Sequence, residues 1–246
     1  MELIPETARI RWKNTCRLIP SRYPSAGILD RVASPADLPY IFELESWTND
    51  RISEELGLLH KLPESEWVTG PQATVVMAAF CHPRQSGGRF NSADRGAWYA
   101  ARKLSTAHSE IVWHRTQELA EVGVFETFVQ MRLYLADFNS DFHDLRTTRQ
   151  DPHSYANSQK AAAELLDAGS NGVLWRSVRD PVGGECVACF RPKLILNVRP
   201  DAHFEYRWRH LNAHDQANVA SSDSPDRVRR PGISPLRDVR VIEPGW

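Results

Sequence analysis

Apolar and polar positions along the chain fall into short alternating runs, broken in places by stretches of helical spacing. Residues 15–19 read as an opening strand. Residues 35–46 read as a helix, with Ser34 as its cap and Pro35 in its first turn, where a missing N–H does no harm. Residues 89–91 and 97–101 are aromatic-rich pieces around a turn-like 92–96, so a β-hairpin is expected there, with Trp98 and Tyr99 on opposite faces. From Ser105 the spacing turns helical. Ala107, Ile111, Val112 and Leu119 share an apolar face, and Ser105 or Thr106 is available as the cap. Residues 124–136 read as a long strand, and 155–167 as a helix closed by Gly169. Val173, Trp175 and Ser177 lie on one face of a further strand, which turns through Asp180-Pro181 and Gly183-Gly184 into a partner over 186–190. Pieces at 194–198 and 204–208 complete the set. The mixture predicts an α+β fold, a mixed β-sheet core with flanking helices.

Chemistry concentrates between Gly87 and Glu110. The Gly87-Gly88 pair lets the chain turn sharply, or lets a ligand approach the main chain, just ahead of the permanent cation of Arg89. Tyr99 follows as an aromatic platform, and Glu110 lies in the first or second turn of the helix. A cation, an aromatic and a carboxylate at a strand–helix junction suit an anionic, ring-bearing ligand whose reacting carbon becomes positive, such as a dinucleotide. Arg89 would fork onto a phosphate, Tyr99 would stack on a flat ring, and Glu110 would face a cationic sugar. Each residue also has an ordinary explanation. A glutamate near a helix start is favoured by the macrodipole, an aromatic in a hairpin packs, and a strand-end serine such as Ser177 caps a backbone group. His108, in the same turn as Glu110, is placed to tune it or to make a local hydrogen bond.

Composition narrows the field. The 246 residues suffice for one large domain, and 30 basic against 31 acidic side chains leave no global field to draw in nucleic acid or an anionic membrane. Cys16, Cys81, Cys186 and Cys189 are too scattered for a disulfide framework, which points to a reducing cytoplasm. The N-terminus carries charges of both signs without an apolar core, and no apolar run is long enough to span a bilayer, so neither export nor membrane insertion is expected. Cys186 and Cys189 form a CxxC pair, but on a strand their sulfurs point to opposite faces, the arrangement of core cysteines. The histidines lack zinc-protease spacing, so no metal is expected, although a metal-dependent hydrolase stays as a remote alternative. Beyond residue 212 the chain turns to Ser, Asp, Arg and Pro, a composition suited to a disordered or peripheral tail.

Two blocks, GGRFN with WYAA and TAHSE, and WRSVR before a GG turn, resemble the RES family, named for an arginine, a glutamate and a serine. Arg89, Glu110 and Ser177 match those three residues, Tyr99 matches the family's tyrosine, and Arg17 in CRLIPSRYP matches the arginine of its first strand. LESWTNDRI, MAAFCHP, HDLR and CVACFRP extend the resemblance to the longer branch of the family. Departures are Phe90 in place of a tryptophan, His108 in place of a small residue, and no proline before Ser177.

The resemblance implies a fold similar to ADP-ribosyltransferase toxins, with a catalytic domain over residues 15–211 between an N-terminal extension (1–14) and the tail (212–246). It implies a toxin that consumes NAD+ as substrate, cleaving the nicotinamide–ribose bond, with transfer of ADP-ribose to a protein as the alternative. Arg89, Glu110 and Ser177 would be catalytic, and Arg17, Arg89 and Tyr99 would bind the dinucleotide. Ser177 would orient Glu110 or contact the sugar. A cognate Xre-type antitoxin is implied as partner, and a homodimer stays open. A catalytically silent protein-interaction module is the remaining reading.

Overall fold

The computed structural model describes residues 5–21, 62–124, 126–210 and 237–242. The expected helix at 35–46 and the LESWTNDRI segment lie outside them. The elements are strands β1 (Thr7–Pro20), β2 (Trp98–Ala101), β3 (Thr127–Asp144), β4 (Gly172–Arg176), β5 (Glu185–Cys189), β6 (Leu196–His210) and β7 (Arg237–Ile242), with helices α1 (Ala73–Cys81), α2 (Leu104–Glu121) and α3 (Ala156–Asp167). The fold is α+β, and its sheet runs β1-β2-β5-β4-β3-β6-β7 with an additional β1–β3 pairing, so its first five strands close into a ring. β3 and β4 pair parallel, through His143↔Val173 and Asp144↔Leu174, and the other pairings are antiparallel.

Alternation along the short strands feeds two cores. Trp98 and Ala100 of β2, Leu174 of β4, and Val187 and Cys189 of β5 join α1 in one cluster. Ala101, Val173, Trp175, Cys186 and Ala188 face the other way, where Ala107 and Val112 of α2 and Ala162 and Leu165 of α3 cover them. The two cysteines of the CxxC pair thus lie on opposite faces, and all four cysteines are buried. Burying each large apolar side chain in these layers contributes about 1.5–3 kcal/mol relative to exposure.

The register of β1 decides where the first arginine goes. Between Trp12 and Thr15 the strand carries one more residue than β3, which runs from Phe138 to Ala136 over the same stretch. Asn14 absorbs the extra residue at φ 57, its N–H donating to Asp137 Oδ1 over 2.8 Å. An inserted residue reverses the alternation of everything after it. Ile10 and Trp12 therefore enter the first core while Cys16 and Leu18 enter the second, and Arg17 comes to the side of Trp98.

Several expected elements differ. The opening strand begins at Thr7 rather than residue 15, and the long strand covers Thr127–Asp144 rather than 124–136. The pieces expected at 194–198 and 204–208 are one strand, Leu196–His210, preceded by a 3-10 turn at Pro192–Leu194. No hairpin joins residues 89–91 to β2. β2 pairs instead with β5 and, at Cys16↔Ala101, with β1, so its partners come from distant sequence. α2 begins at Leu104, and its cap position, Lys103, makes no side-chain cap. Thr106 is unavailable for capping because its hydroxyl donates to Asp180 Oδ2 at 2.7 Å.

Candidate functional site

Arg17, Arg89, Tyr99 and Glu110 line one cavity of about 730 Å³, together with His114 and Trp175. That volume suits a ligand of dinucleotide size. Ser177, 4% exposed, lies behind Glu110 rather than on the wall.

The glycine pair shapes the entry. Gly87 sits at φ +70, and a Cβ there would stand 2.3 Å from the Asn91 carbonyl oxygen. A Cβ on Gly88 would stand 2.7 Å from the Tyr99 hydroxyl, so the close approach of this loop to the tyrosine requires glycine. Gln159 of α3 reaches across to donate to the carbonyls of Ser86 and Gly88 at 3.0 and 2.9 Å. The Tyr99 hydroxyl then ties the loop to β2: it accepts from the Phe90 N–H at 2.8 Å and donates to Asn91 Oδ1 at 2.8 Å. Burial pushes its ionisation well above the usual phenol value, so it stays a neutral donor. Trp175 supports the ring edge-on, with centroids 5.9 Å apart.

Both arginines are held by rings and carbonyls. Arg89, 7% exposed, donates to the Asp151 carbonyl at 2.7 Å and lies 4.5 Å over the Tyr155 ring. Its pKa is lowered, chiefly by burial and in part by the cation of Arg179, while Tyr155 and Glu110 work in the opposite direction. Arg17 donates to the Tyr99 carbonyl at 3.1 Å and lies 4.7 Å over the Trp98 ring. Burial is the main cause that lowers it to about 10, and its buried Nε has no hydrogen-bond partner among the described residues. A desolvated donor of this kind gains from an incoming anion.

Glu110 lies in the second turn of α2, and its Oε1 accepts the Ser177 hydroxyl proton at 2.5 Å. The same hydroxyl accepts from the N–H groups of Arg179 and Asp180 at 3.1 and 3.0 Å. Ser177 is therefore both the cap of its turn and a clamp on the glutamate. Gly184 admits Thr106 and Asp180 beneath that turn, where a Cβ would stand 2.1 Å from the threonine hydroxyl. Oε2 of Glu110 lies 3.7 Å from His114 Nε2.

Of the two readings of His108, the hydrogen bond holds and the tuning of Glu110 does not, although the bonded partner is distant in sequence. Its ring turns into the second core, 4.8 Å edge-on from Phe204, with Nδ1 2.5 Å from the Tyr206 hydroxyl. Burial lowers it to about 4. One helical turn further on, His114 occupies the position beside the carboxylate, an i, i+4 neighbour that the spacing alone identifies. Asp151, Tyr155 and Gln159 had no comparable signal, because their place in the site depends on how α3 and the loop before it fold back. Among the described residues no group of three or more His, Cys, Asp or Glu is arranged to hold a metal ion, and no helix is long and apolar enough to cross a membrane.

A family model described as RES domain matches residues 59–209. A relative from Sinorhizobium fredii, "Uncharacterized protein y4oC", is 25% identical over 196 residues, which cover 78% of this chain and 81% of that protein. Among solved structures, the crystal structure of the M. tuberculosis MbcT-MbcA toxin-antitoxin complex matches with 13% sequence identity and a TM-score of 0.43, over 79% of this chain and 85% of that one.

Proposed function

The chain belongs to the RES domain family, and from that premise we propose that it is a toxin-like enzyme that cleaves the nicotinamide–ribose bond of NAD+. One observation carries this reading: a carboxylate, two desolvated arginines and an aromatic ring share the wall of one cavity of about 730 Å³. In the reaction the bond between the ribose C1′ and the pyridinium nitrogen breaks, its electron pair neutralises the nicotinamide, and positive charge develops on the ribose. Glu110 lies against that charge. Its Oε1 is held by the Ser177 hydroxyl, and the carboxylate lines the cavity on the side given to the sugar. A fixed charge of this kind supplies a stabilisation of about 3–4 kcal/mol to the transition state without moving during the reaction. Arg17 and Arg89 grip the pyrophosphate, and the Tyr99 ring packs against the nicotinamide. Water then forms the new C1′–O bond, and its proton leaves to solvent.

Hydrolysis and transfer to a protein side chain use the same residues and differ in the acceptor. Hydrolysis is the reading we favour, since water needs no docking surface beyond the cavity. The reading includes a cytoplasmic setting and a neutralising antitoxin protein, as the resemblance to the family implies. The test is incubation of the purified protein with NAD+, following free nicotinamide with and without a candidate acceptor protein. Nicotinamide with ADP-ribose in solution is the expected result. Label retained on the acceptor would make it a transferase, and no nicotinamide release would overturn the proposal.

A further inference from the structure

We infer that Arg84, His114 and Glu110 form a relay in which His114 is a positioning residue, locked by Arg84 as the neutral tautomer that carries its proton on Nε2 and presents it to Glu110. Glu110, His114 and Glu118 follow one another at i, i+4 and i+8 on one face of α2. Arg84, from the loop after α1, joins the last two. Its Nη2 lies 2.7 Å from Glu118 Oε1, and its Nη1 lies 3.3 Å from His114 Nδ1. Glu118 is held from its other side by Arg115, 2.5 Å from Oε2, so the anchor of Arg84 is itself fixed.

The chemistry of the guanidinium decides the tautomer. Arginine has donors and no acceptor, so the imidazole nitrogen facing it must accept and carries no proton. In a neutral ring the proton is then on Nε2, the atom that faces Glu110 Oε2 across 3.7 Å. That separation is longer than a direct hydrogen bond, so the Nε2–H dipole acts on the carboxylate across a short gap. Both groups line the cavity, and their side chains keep 26% and 24% exposure. Ser177 holds Oε1 by a hydrogen bond, and His114 turns the positive end of its N–H toward Oε2. The arrangement also removes His114 as a general base, because one nitrogen is engaged by a cation and the other already bears the proton.

This inference deepens the NAD+-cleaving reading, and the test separates the two. Two-dimensional ¹H–¹⁵N correlation of the histidine side chains, with no substrate present, is expected to report an Nε2–H ring for His114 in the native protein and loss of that single tautomer in Arg84→Ala. An Nδ1–H ring in the native protein, or an unchanged spectrum in Arg84→Ala, overturns the inference whatever the protein does to NAD+. In the nicotinamide assay His114→Ala is expected to lower kcat roughly tenfold to a hundredfold, the range of a hydrogen bond to a charged group, with KM little changed. His114→Gln keeps an N–H donor without a titratable nitrogen and is expected to recover most of the loss. Equal loss in both variants would assign His114 to proton transfer and sink the positioning role. A native protein inert toward NAD+ would end the functional reading and leave the spectroscopic result standing.

Discussion

The cavity's acid and its two arginines are held by opposite means. Glu110 is positioned through its own charged oxygens, with the Ser177 hydroxyl at 2.5 Å on one and His114 at 3.7 Å from the other. Arg17 and Arg89 are positioned through the faces of their guanidinium planes, which lie 4.7 Å over Trp98 and 4.5 Å over Tyr155. Each donates to one backbone carbonyl, of Tyr99 and Asp151 respectively. An acid held by its oxygens keeps a fixed direction, as stabilising a charge at one atom demands. A cation held by stacking keeps hydrogen-bond donors for a ligand, as gripping a pyrophosphate demands. The difference separates the roles proposed for the two sides, chemistry for the glutamate and binding for the arginines.

If that division holds, Glu110→Ala has the largest effect. Nicotinamide release is expected to fall by roughly a hundredfold to a thousandfold in kcat, and the growth defect on expression should disappear with the drain on cellular NAD. A variant that depletes NAD as fast as the parent would remove Glu110 from the chemistry. Next comes Arg17→Lys, which keeps the charge but loses the planar stack and the fork. KM for NAD+ is expected to rise roughly tenfold or more while kcat changes less, and the opposite split would erase the distinction between binding arginines and a catalytic acid. Ser177→Ala follows, with kcat down roughly tenfold because Oε1 loses a charge-assisted hydrogen bond. Comparing its kcat with its KM shows whether the serine acts through the glutamate or touches substrate.

The smallest effect concerns His108, outside the cavity. Its ordinary value of 6.5 is lowered to about 4 by burial. As pH falls below 6.5 the unfolded chain takes up a proton that the folded ring refuses until about pH 4. The stability that this group contributes is therefore complete above that window and lost as pH falls through it, by on the order of 3 kcal/mol at most. Thermal unfolding between pH 7 and pH 4.5 should drop more steeply in the native protein than in His108→Leu. Parallel curves would mean that the ring is not held neutral by its surroundings.

How legible the site was depended on the range of the interactions that form it. The order of Arg17, Arg89, Tyr99, Glu110 and Ser177 along the chain gave the cavity's candidates, and the parity of β4 and β5 gave the faces of Trp175 and the cysteines. Local pattern failed wherever a residue's partner lay far away. Thr106 looked like a helix cap and bonds Asp180 instead. His108 shares a turn with Glu110, yet the apolar surface of β6 draws its ring inward. Residues 89–91 looked like half of a hairpin because nothing local announces that β2 pairs with β5. The two uses of Ser177, capping its turn and clamping Glu110, could each be argued from sequence, whereas their coexistence required the geometry.

β2, which carries Tyr99 and accepts Arg17, pairs with β1 at one position, Cys16↔Ala101, and with β5 at four, from Trp98↔Cys189 to Ala101↔Cys186. Its main support is thus translated some ninety residues after it, and the serine that clamps Glu110 comes nearly as late. A chain that ends before Cys189 therefore lacks the strand that carries β2 and Tyr99, and the cavity wall is complete only once that segment has folded.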